Sequence, residues 1–142
     1  MTNPIRILVA DDNSMVRRSI RSMLDAIDGM EVVGEAKDGL EAITLVENLN
    51  PDVVIMDISM PSLDGLKATA AIQAMKTTAR VLILSMYGTP TFVRQALRNG
   101  ALGYVLKRTL SDELVPALYR VYEGKRFLSR LLDDSASDIG DD

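Results

Sequence analysis

Five polar residues stand directly after apolar segments of the chain, and their side chains are of the types that phosphoryl chemistry needs. Asp11 and Asp12 follow the first apolar segment, Asp57 the third, Ser85 the fourth and Lys107 the fifth. Carboxylates can hold a hard cation or act as a nucleophile, a lysine can pair with phosphoryl oxygens, and a hydroxyl can donate to them. If the fold brings these side chains together, they support transfer of a phosphoryl group to an aspartate.

The composition excludes several other kinds of chemistry. The 142 residues contain no Cys and no His, which excludes thiolate chemistry, imidazole metal ligands, histidine as a general base and a phosphohistidine on this chain. Hydrophobic residues make up 47% and charged residues 25% of the chain, which is typical of one globular domain with its own core. No apolar run approaches the roughly 20 residues of a membrane span. Residues 1–10 do not resemble a signal peptide, so we expect a cytoplasmic location.

Acidic residues are concentrated at the C-terminus. The net charge is −4, but residues 133–142 hold five of the 20 acidic residues and no basic one. Residues 1–132 therefore carry 16 basic and 15 acidic side chains. Such a nearly neutral body has no basic field for a phosphate backbone, so we expect no direct nucleic-acid binding by residues 1–142. The acidic segment has the composition of a disordered tail.

Apolar runs and helix-length amphipathic segments alternate five times along the chain. We predict strands over residues 5–10, 31–36, 52–56, 80–84 and 102–106, and helices over residues 14–27, 39–48, 65–76, 91–99 and 112–124. The runs are short and apolar, as in strands buried on both faces. The second is the most polar and is interrupted by Gly34, which is typical of a sheet edge. The alternation predicts a doubly wound α/β fold, with a parallel sheet and helices on both faces.

Pro116 lies within the fifth predicted helix. Proline has no N–H and is best tolerated in the first turn of a helix. Either the helix begins one or two residues after Ser111, or it contains Pro116 and lacks one hydrogen bond.

The carboxyl ends of the strands of a doubly wound sheet lie at one edge, hereafter called the rim, and ligands bind there. Three carboxylates gathered at the rim raise one another's pKa and are tolerable only with a cation among them. Because this chain offers neither His nor Cys, oxygen ligands indicate Mg²⁺ rather than Zn²⁺. A lysine and a hydroxyl at the same rim would complete a cradle for a phosphoryl group.

Most of the rim residues lie in recognisable motifs. Asp11-Asp12 follows ILVA, Asp57 begins DISMPSLDG (residues 57–65), Ser85 follows Leu84, and Lys107 ends GYVLK (residues 103–107). Over residues 4–124 the sequence resembles the response-regulator receiver domain of two-component signalling, and it is most similar to the receivers of NarL/LuxR-type regulators. The resemblance implies a sheet of five parallel strands in the flavodoxin-like order 2-1-3-4-5.

The resemblance also implies roles for the rim residues. Asp57 matches the phosphoacceptor, and Lys107 matches the lysine that pairs with the phosphoryl group. Asp12, Asp57 and the backbone carbonyl of Ser59 match direct Mg²⁺ ligands. Asp11 matches a residue that acts on the ion mainly through water.

A second set of matched residues implies a switch. Ser85 matches a hydroxyl that moves towards the phosphoryl group, and Tyr104 matches an aromatic residue that swings inward with it. The surface of the fourth helix, fifth strand and fifth helix then shifts between two populations. Ser59 and Tyr87 flank the site, and the resemblance implies that they tune how fast water removes the phosphoryl group.

The expected partners follow from the same resemblance. A sensor histidine kinase or a phosphotransfer protein supplies the phosphoryl group from a phosphohistidine, and the chain is a phosphoacceptor rather than a turnover enzyme. A DNA-binding output domain or a separate downstream protein receives the signal. Receivers of this family form homodimers through several faces, and no contact with a membrane is expected.

Two features concern the end of the domain. Arg108 follows Lys107, where most receivers have a proline in a cis bond, as is common in the LuxR-type subfamily. Residues 123–129 resemble the exit linker of that subfamily, although no helix-turn-helix follows. We predict a receiver domain over residues 1–124 and an exit linker with the acidic tail over residues 125–142. The receiver is either stand-alone or the N-terminal part of a longer regulator.

Each motif also has a simpler structural interpretation. The triplet Asp11-Asp12-Asn13 could cap a helix, Asp57 and Ser85 could be turn or loop residues, and Tyr104 could be core packing. Several positions with complementary roles at one rim favour the functional interpretation.

Three other functions are compatible with parts of the pattern. An aspartyl-phosphate phosphatase uses the same nucleophile and metal, but it has a second Asp two residues later, where this chain has Ser59. A nucleotide- or flavin-binding module would need a Gly-rich loop after the first strand, which is absent. A receiver used only as a non-phosphorylated scaffold is the third alternative.

Overall fold

The computed structural model describes residues 3–132, in which strands and helices alternate along the chain. The strands are β1 (Ile5–Ala10), β2 (Met30–Ala36), β3 (Val53–Met56), β4 (Arg80–Ser85), β5 (Gly103–Leu106) and β6 (Phe127–Leu128). The helices are α1 (Ser14–Asp25), α2 (Gly39–Leu49), α3 (Gly65–Ala74), α4 (Pro90–Arg98) and α5 (Leu110–Tyr122), and a 3₁₀ turn (Lys107–Thr109) joins β5 to α5. The predicted bounds of the first five strands and of the five helices are confirmed to within two residues. The acidic tail predicted over residues 133–142 lies outside the described residues.

All neighbouring strands of the sheet pair in parallel, in the order β2-β1-β3-β4-β5-β6. The doubly wound α/β fold and the order 2-1-3-4-5 are therefore confirmed, with β2 at one edge. The expected number of five strands is wrong, because β6 extends the sheet beyond β5 by pairing Phe127 with Gly103 and Leu128 with Tyr104. A strand of two residues is too short to produce a hydrophobic alternation, so the sequence pattern placed it in the exit linker.

The sheet contributes to two hydrophobic cores, one on each face. Helices α1 and α5 cover one face, and α2, α3 and α4 cover the other. Because successive residues of a strand point to opposite faces, β1 sends Ile7 and Val9 into the first core and Leu8 and Ala10 into the second. Burial on both faces explains why the central strands are nearly continuous apolar runs. Within residues 3–132, no helix is long and apolar enough to cross a membrane.

Helix α5 begins at Leu110 and contains Pro116, so of the two alternatives for this helix the second is correct. The proline ring removes the N–H that would bond to the carbonyl of Asp112. Both residues are exposed, so water can hydrogen-bond to the freed carbonyl. The helix therefore continues through Pro116 to Tyr122.

A buried carboxylate fastens the segment after α5 to the rest of the domain. Glu113 is only 5% exposed. Its Oε1 accepts hydrogen bonds from the hydroxyls of Thr109 at 2.7 Å and Ser129 at 2.6 Å, and its Oε2 accepts one from the N–H of Arg130 at 3.0 Å. Burial opposes the charge, but these bonds outweigh burial and lower the pKa of Glu113. Residues 127–130 are thereby held beside β5 and α5.

Replacing Glu113 by Gln should destabilise the protein, because the amide group would turn an N–H donor towards other donors. We expect a loss of about 1–3 kcal/mol in the free energy of unfolding at neutral pH, measured by urea denaturation. Because folding lowers the pKa of Glu113 from 4.5, its contribution is present above that value and is lost as the pH falls through the folded-state pKa. The difference between the two proteins should therefore shrink in acid.

The matched control is Asp112→Asn, one position earlier in α5. Asp112 is exposed, and within residues 3–132 its side chain makes one ion pair, a surface contact with Arg130 at 3.4 Å, so its replacement should change the stability by less than about 0.5 kcal/mol. Equal losses in the two variants would contradict a specific role for Glu113.

Candidate functional site

The carboxyl ends of four neighbouring strands bring the predicted site residues to the rim. The strands β1, β3, β4 and β5 place there Asp11 with Asp12, Asp57, Ser85 and Lys107, respectively. The hydrogen bonding of β1 and β3 to their neighbouring strands continues through the first residue after each strand. The N–H of Asp11 donates to the carbonyl of Ala36 at 3.0 Å, and the N–H of Asp57 donates to that of Ala10 at 2.9 Å. The sheet therefore fixes the backbone positions of Asp11 and Asp57, from which the two carboxylates project.

Three carboxylates and one ammonium form the centre of the site. Asp11, Asp12 and Asp57 each present a carboxylate oxygen within 4.8 Å of the other two. Asp11 and Asp57 are buried, whereas Asp12 is exposed. The Nζ of Lys107 lies 2.9 Å from Oδ2 of Asp11 and 3.5 Å from Oδ1 of Asp57. With all four groups ionised, the cluster carries an excess of negative charge.

Burial and neighbouring charges shift the pKa values of this cluster. Burial, and after it the charge of Asp11, raises the pKa of Asp57 from 3.8 to about 6, although the Lys107 ammonium opposes the shift. For Lys107, burial disfavours the charged form, but the bond to Asp11 and the charge of Asp57 outweigh burial and raise the pKa. Lys107 therefore stays protonated, and the charge on Asp57 is the one that needs further stabilisation.

The donor set of the cluster fits a hard divalent cation. Its ligand atoms are carboxylate oxygens, without nitrogen or sulfur. The Oδ2 of Asp11 is buried, and the ammonium of Lys107 lies 2.9 Å from it. One ammonium offsets only one of the three carboxylates, so the negative charge that is left would be neutralised by a divalent cation.

The residue that caps α1 is Asn13. Its Oδ1 accepts hydrogen bonds from the N–H groups of Met15 at 2.9 Å and Val16 at 3.3 Å. The carboxylate of Asp11 instead accepts a bond from the N–H of Asn13, at 2.8 Å. Helix capping therefore explains Asn13 and leaves the two aspartates available for the rim.

Both predicted switch residues contact the loop after β4. Ser85 is buried, and its Oγ accepts a hydrogen bond from the N–H of Tyr87 at 2.9 Å. Tyr104 is completely buried, and its hydroxyl donates to the carbonyl of Tyr87. Burial raises the pKa of Tyr104, so its hydroxyl remains a neutral donor. The ring of Tyr87 is half exposed and stacks on Phe92 with 5.4 Å between ring centroids.

A cavity of about 220 Å³ opens over the cluster. Its lining consists of Asp12, Asn13, Asp57, Ser59, Met86, Tyr87 and Lys107. Ser59 and Tyr87 therefore border the space that a phosphoryl group on Asp57 would enter. Lys107 lies within reach of the cluster although Arg108, and not a proline, follows it. The peptide bonds of the described residues are all trans, and Nζ reaches both buried carboxylates.

Gly65, the first residue of α3, packs directly against the backbone of Asp57, and a side chain has no room there. A Cβ at Gly65 would lie 1.9 Å from the carbonyl oxygen of Asp57. The N–H of Gly65 donates to the carbonyl of Ile58 at 2.8 Å, and Asp64 caps α3 by accepting from the N–H of Lys67 at 2.9 Å. The Asp-Gly pair of the motif therefore returns the chain tightly against the residue that carries the central carboxylate.

Arg17 of α1 supports the site together with Glu35 of β2. Nη1 of Arg17 donates to the carbonyl of Asp11 at 2.6 Å, and its Nε pairs with Glu35 at 3.0 Å. Glu35 also pairs with Arg21 at 2.9 Å. Helical periodicity places Arg17 on the polar face of α1, and nothing in the pattern signals that its side chain turns back towards the rim.

The family comparison agrees with this fold and this cluster. The model of the response regulator receiver domain matches residues 7–119, a range that includes all of the rim residues and Tyr104. The chain therefore belongs to the family of response-regulator receiver domains, and the resemblance inferred from its motifs is confirmed.

Individual relatives place the chain near regulators of the NarL/LuxR type, as expected. It is 36% identical to the response regulator GacA of Pseudomonas aeruginosa over 125 residues, which are 88% of this chain and 58% of the relative. Its structure is similar to that of the receiver domain of NarL from Mycobacterium tuberculosis, with a TM-score of 0.84, 35% identity and coverage of 87% of this chain and 100% of that one. It is also similar to a LuxR-family response regulator from an Aurantimonas species, with a TM-score of 0.87, 35% identity and coverage of 98% and 97%. The chain spans 53–66% of the length of the curated relatives it matches.

The raised pKa of Asp57 predicts that its charge lowers stability when no divalent cation is present. The carboxyl titrates at about 6 in the folded protein and near 3.8 in the unfolded chain, so stability falls as the pH rises between these two values. This difference corresponds to at most about 3 kcal/mol. In a chelating, mildly alkaline buffer, Asp57→Asn should therefore unfold at a higher urea concentration than the wild type, with a gain of about 1–3 kcal/mol. The gain should shrink as the pH falls from the folded-state to the unfolded-state pKa.

Asp28→Asn is the control for this comparison, because Asp28 is exposed beyond the end of α1. Its replacement should change the stability by less than about 0.5 kcal/mol at every pH. A wild type that is as stable as Asp57→Asn in alkaline, metal-free buffer would contradict the electrostatic cost assigned to Asp57.

Proposed function

We propose that the chain is a phosphorylated receiver in which Asp57 accepts a phosphoryl group from a phosphohistidine of a sensor histidine kinase or a phosphotransfer protein. The observation that carries this proposal is the position of the Asp57 carboxylate, which is buried beside Asp11, Asp12 and Lys107 and lines the cavity above them. A carboxylate oxygen of Asp57 attacks phosphorus, the P–N bond of the donor breaks, and the imidazole leaves. The product is an aspartyl phosphate.

The rim would neutralise the phosphoryl oxygens from two sides, one with the Mg²⁺ ligands and the other with Lys107. Asp12, Asp57 and the backbone carbonyl of Ser59 would hold Mg²⁺ directly, and Asp11 would hold it mainly through water. When bound, the ion neutralises the carboxylates and the phosphoryl oxygens. On the other side, the ammonium of Lys107, 3.5 Å from Oδ1 of Asp57, would pair with another phosphoryl oxygen.

Ser85 and Tyr104 would carry the change from the rim to the surface of α4, β5 and α5. The Oγ of Ser85 already accepts from the N–H of Tyr87, so its own proton is free to donate to a phosphoryl oxygen. A movement of Ser85 would draw the loop after β4 with it, and Tyr104 is bonded to the same loop residue. Because Tyr104 is buried without a phosphoryl group, the loop and Ser85 should move more than its ring does.

The runner-up function is that of an aspartyl-phosphate phosphatase. Such an enzyme needs an acid/base carboxylate two residues after the nucleophile, and this position holds the hydroxyl of Ser59. The residues at the rim can therefore form an aspartyl phosphate, but Ser59 cannot supply the acid/base step of rapid turnover. A scaffold role without phosphorylation would not account for the two buried carboxylates, whose burial is energetically unfavourable.

We further propose that the receiver is cytoplasmic and passes its phosphorylation state to another domain or protein. We propose that the receiver acts either alone on a downstream protein or as the N-terminal part of a regulator with a DNA-binding output domain. The greater length of its curated relatives is compatible with the second arrangement. A homodimer formed through one face of the domain is compatible with both arrangements.

The direct test is the intact mass of the protein after incubation with acetyl phosphate. The wild type should gain one phosphoryl group in the presence of Mg²⁺ and none in a chelator, and Asp57→Asn should gain none in either condition. The exposed control Asp28→Asn should be labelled like the wild type. Full labelling of Asp57→Asn would refute the assignment, and rapid turnover of a chromogenic phosphate ester by the wild type would favour the phosphatase.

The cavity predicts that Ser59 and Tyr87 set the lifetime of the phosphoryl group. Removing the ring in Tyr87→Ala should widen the path of water to Asp57 and shorten the lifetime several-fold, and Ser59→Ala should also change it. The lifetime is measured as loss of the added mass after the donor is removed. Tyr119→Ala, on the exposed side of α5, is the control and should not change the rate. An unchanged rate in both cavity variants would show that these residues do not control access of water.

A further inference from the structure

We propose that Arg17 is a positioning residue that sets the Asp11–Asp12 loop for cation binding. This inference rests on the proposed function and concerns a side chain outside the cluster of carboxylates. Nη1 of Arg17 donates to the carbonyl oxygen of Asp11 at 2.6 Å. That oxygen belongs to the peptide group that joins Asp11 to Asp12, so its direction determines how the chain leaves the buried aspartate and enters the exposed one.

The bond from Arg17 completes the restraint of Asp11. The N–H of Asp11 is held by β2, its Oδ1 accepts from Asn13 at 2.8 Å, and its Oδ2 pairs with Lys107 at 2.9 Å. The carbonyl is the remaining polar group of the residue, and Arg17 occupies it. Asp12 is exposed, so the orientation of its preceding peptide group helps to set where its carboxylate points.

Glu35 makes Arg17 a rigid support rather than a mobile surface side chain. The Nε of Arg17 pairs with Oε1 of Glu35 at 3.0 Å, and the side chain of Arg17 is only 18% exposed. Glu35 stands opposite Val9 in the pairing of β2 with β1, two residues before Asp11, so the support is anchored in the sheet. Burial opposes the charge of Glu35, but its bonds to Arg21 and Arg17 prevail and lower its pKa. The paired charges of Arg17 and Glu35 partly cancel, so the expected effect of Arg17 on the cation site is geometric.

The chain contains a matched control for this role. Arg21 lies four residues later in α1 and donates its Nε to Oε2 of the same Glu35 at 2.9 Å. Arg17→Met and Arg21→Met each remove one positive charge and one ion pair with Glu35. Only Arg17→Met also removes the bond to the carbonyl of Asp11.

The test measures Mg²⁺ affinity by isothermal titration calorimetry of the full chain, together with the urea stability of the metal-free protein. We expect Arg17→Met to weaken Mg²⁺ binding on the order of tenfold, as is usual when a residue that orients metal ligands is lost. Arg21→Met should bind Mg²⁺ within about twofold of the wild type. Both variants should be destabilised, Arg17→Met more than Arg21→Met, because it also loses the hydrogen bond to the carbonyl of Asp11. Arg17→Lys, which can still donate to the carbonyl but lacks the second donor for Glu35, should recover part of the affinity and tests the role if Arg17→Met folds poorly.

A second readout separates positioning from general damage. The rate of labelling by acetyl phosphate in Arg17→Met should approach that of the wild type as Mg²⁺ is raised, because the acceptor and the lysine are intact. Equal Mg²⁺ affinities in Arg17→Met and Arg21→Met would overturn the proposal, since the arginine would then only tie α1 to β2. A wild type that binds Mg²⁺ together with an unaffected Arg17→Met contradicts this inference alone. A wild type that binds no Mg²⁺ contradicts the proposed function and this inference together.

Discussion

The need to balance charge at the rim governs the rest of the site. Three carboxylates and one ammonium lie together, and two of the carboxylates are buried. Burial and Asp11 together raise the pKa of Asp57, so the charge of the proposed phosphoacceptor is poorly supported by the protein itself. A divalent cation would supply the missing charge, and under the proposed function the same arrangement would accommodate the further negative charge of a phosphoryl group.

The scaffold meets this constraint by making the positions of the charged groups a consequence of the sheet. Asp11 and Asp57 continue the pairing of β1 and β3, whose side chains are packed on both faces. Backbone N–H groups of the loops and helix ends find hydrogen-bond acceptors locally. Asn13 accepts such a bond at the start of α1, and the N–H of Gly65 donates to the carbonyl of Ile58 at the start of α3. The carboxylates are therefore held close together by elements whose stability comes from apolar burial elsewhere.

The sequence predicts those parts of the structure that depend on local pattern. The apolar runs predict the strands, and the positions just after them predict the rim residues, because a parallel sheet gathers the carboxyl ends of its strands. Strand β6 was not predicted, because two residues are too few to show a periodic hydrophobic pattern. Helix α5 continues through Pro116, where the carbonyl left without a partner belongs to the exposed Asp112. The support from Arg17 depends on its ion pair with Glu35, 18 residues away, and that from Glu113 on the hydroxyl of Ser129, 16 residues away. A single sequence gives no signal that distinguishes these charges from ordinary surface charges.

The most direct test of the charge balance is a titration of the Asp57 carboxyl carbon by NMR, with and without Mg²⁺, in protein labelled at aspartate. Without the ion, the carboxyl should titrate at about 6, as burial and Asp11 require. With saturating Mg²⁺, the same signal should titrate at a markedly lower pH, because the cation favours the ionised form. An Asp57 that titrates like an exposed aspartate without Mg²⁺, or whose titration does not respond to the ion, would contradict the view that this cluster is built around an excess of negative charge.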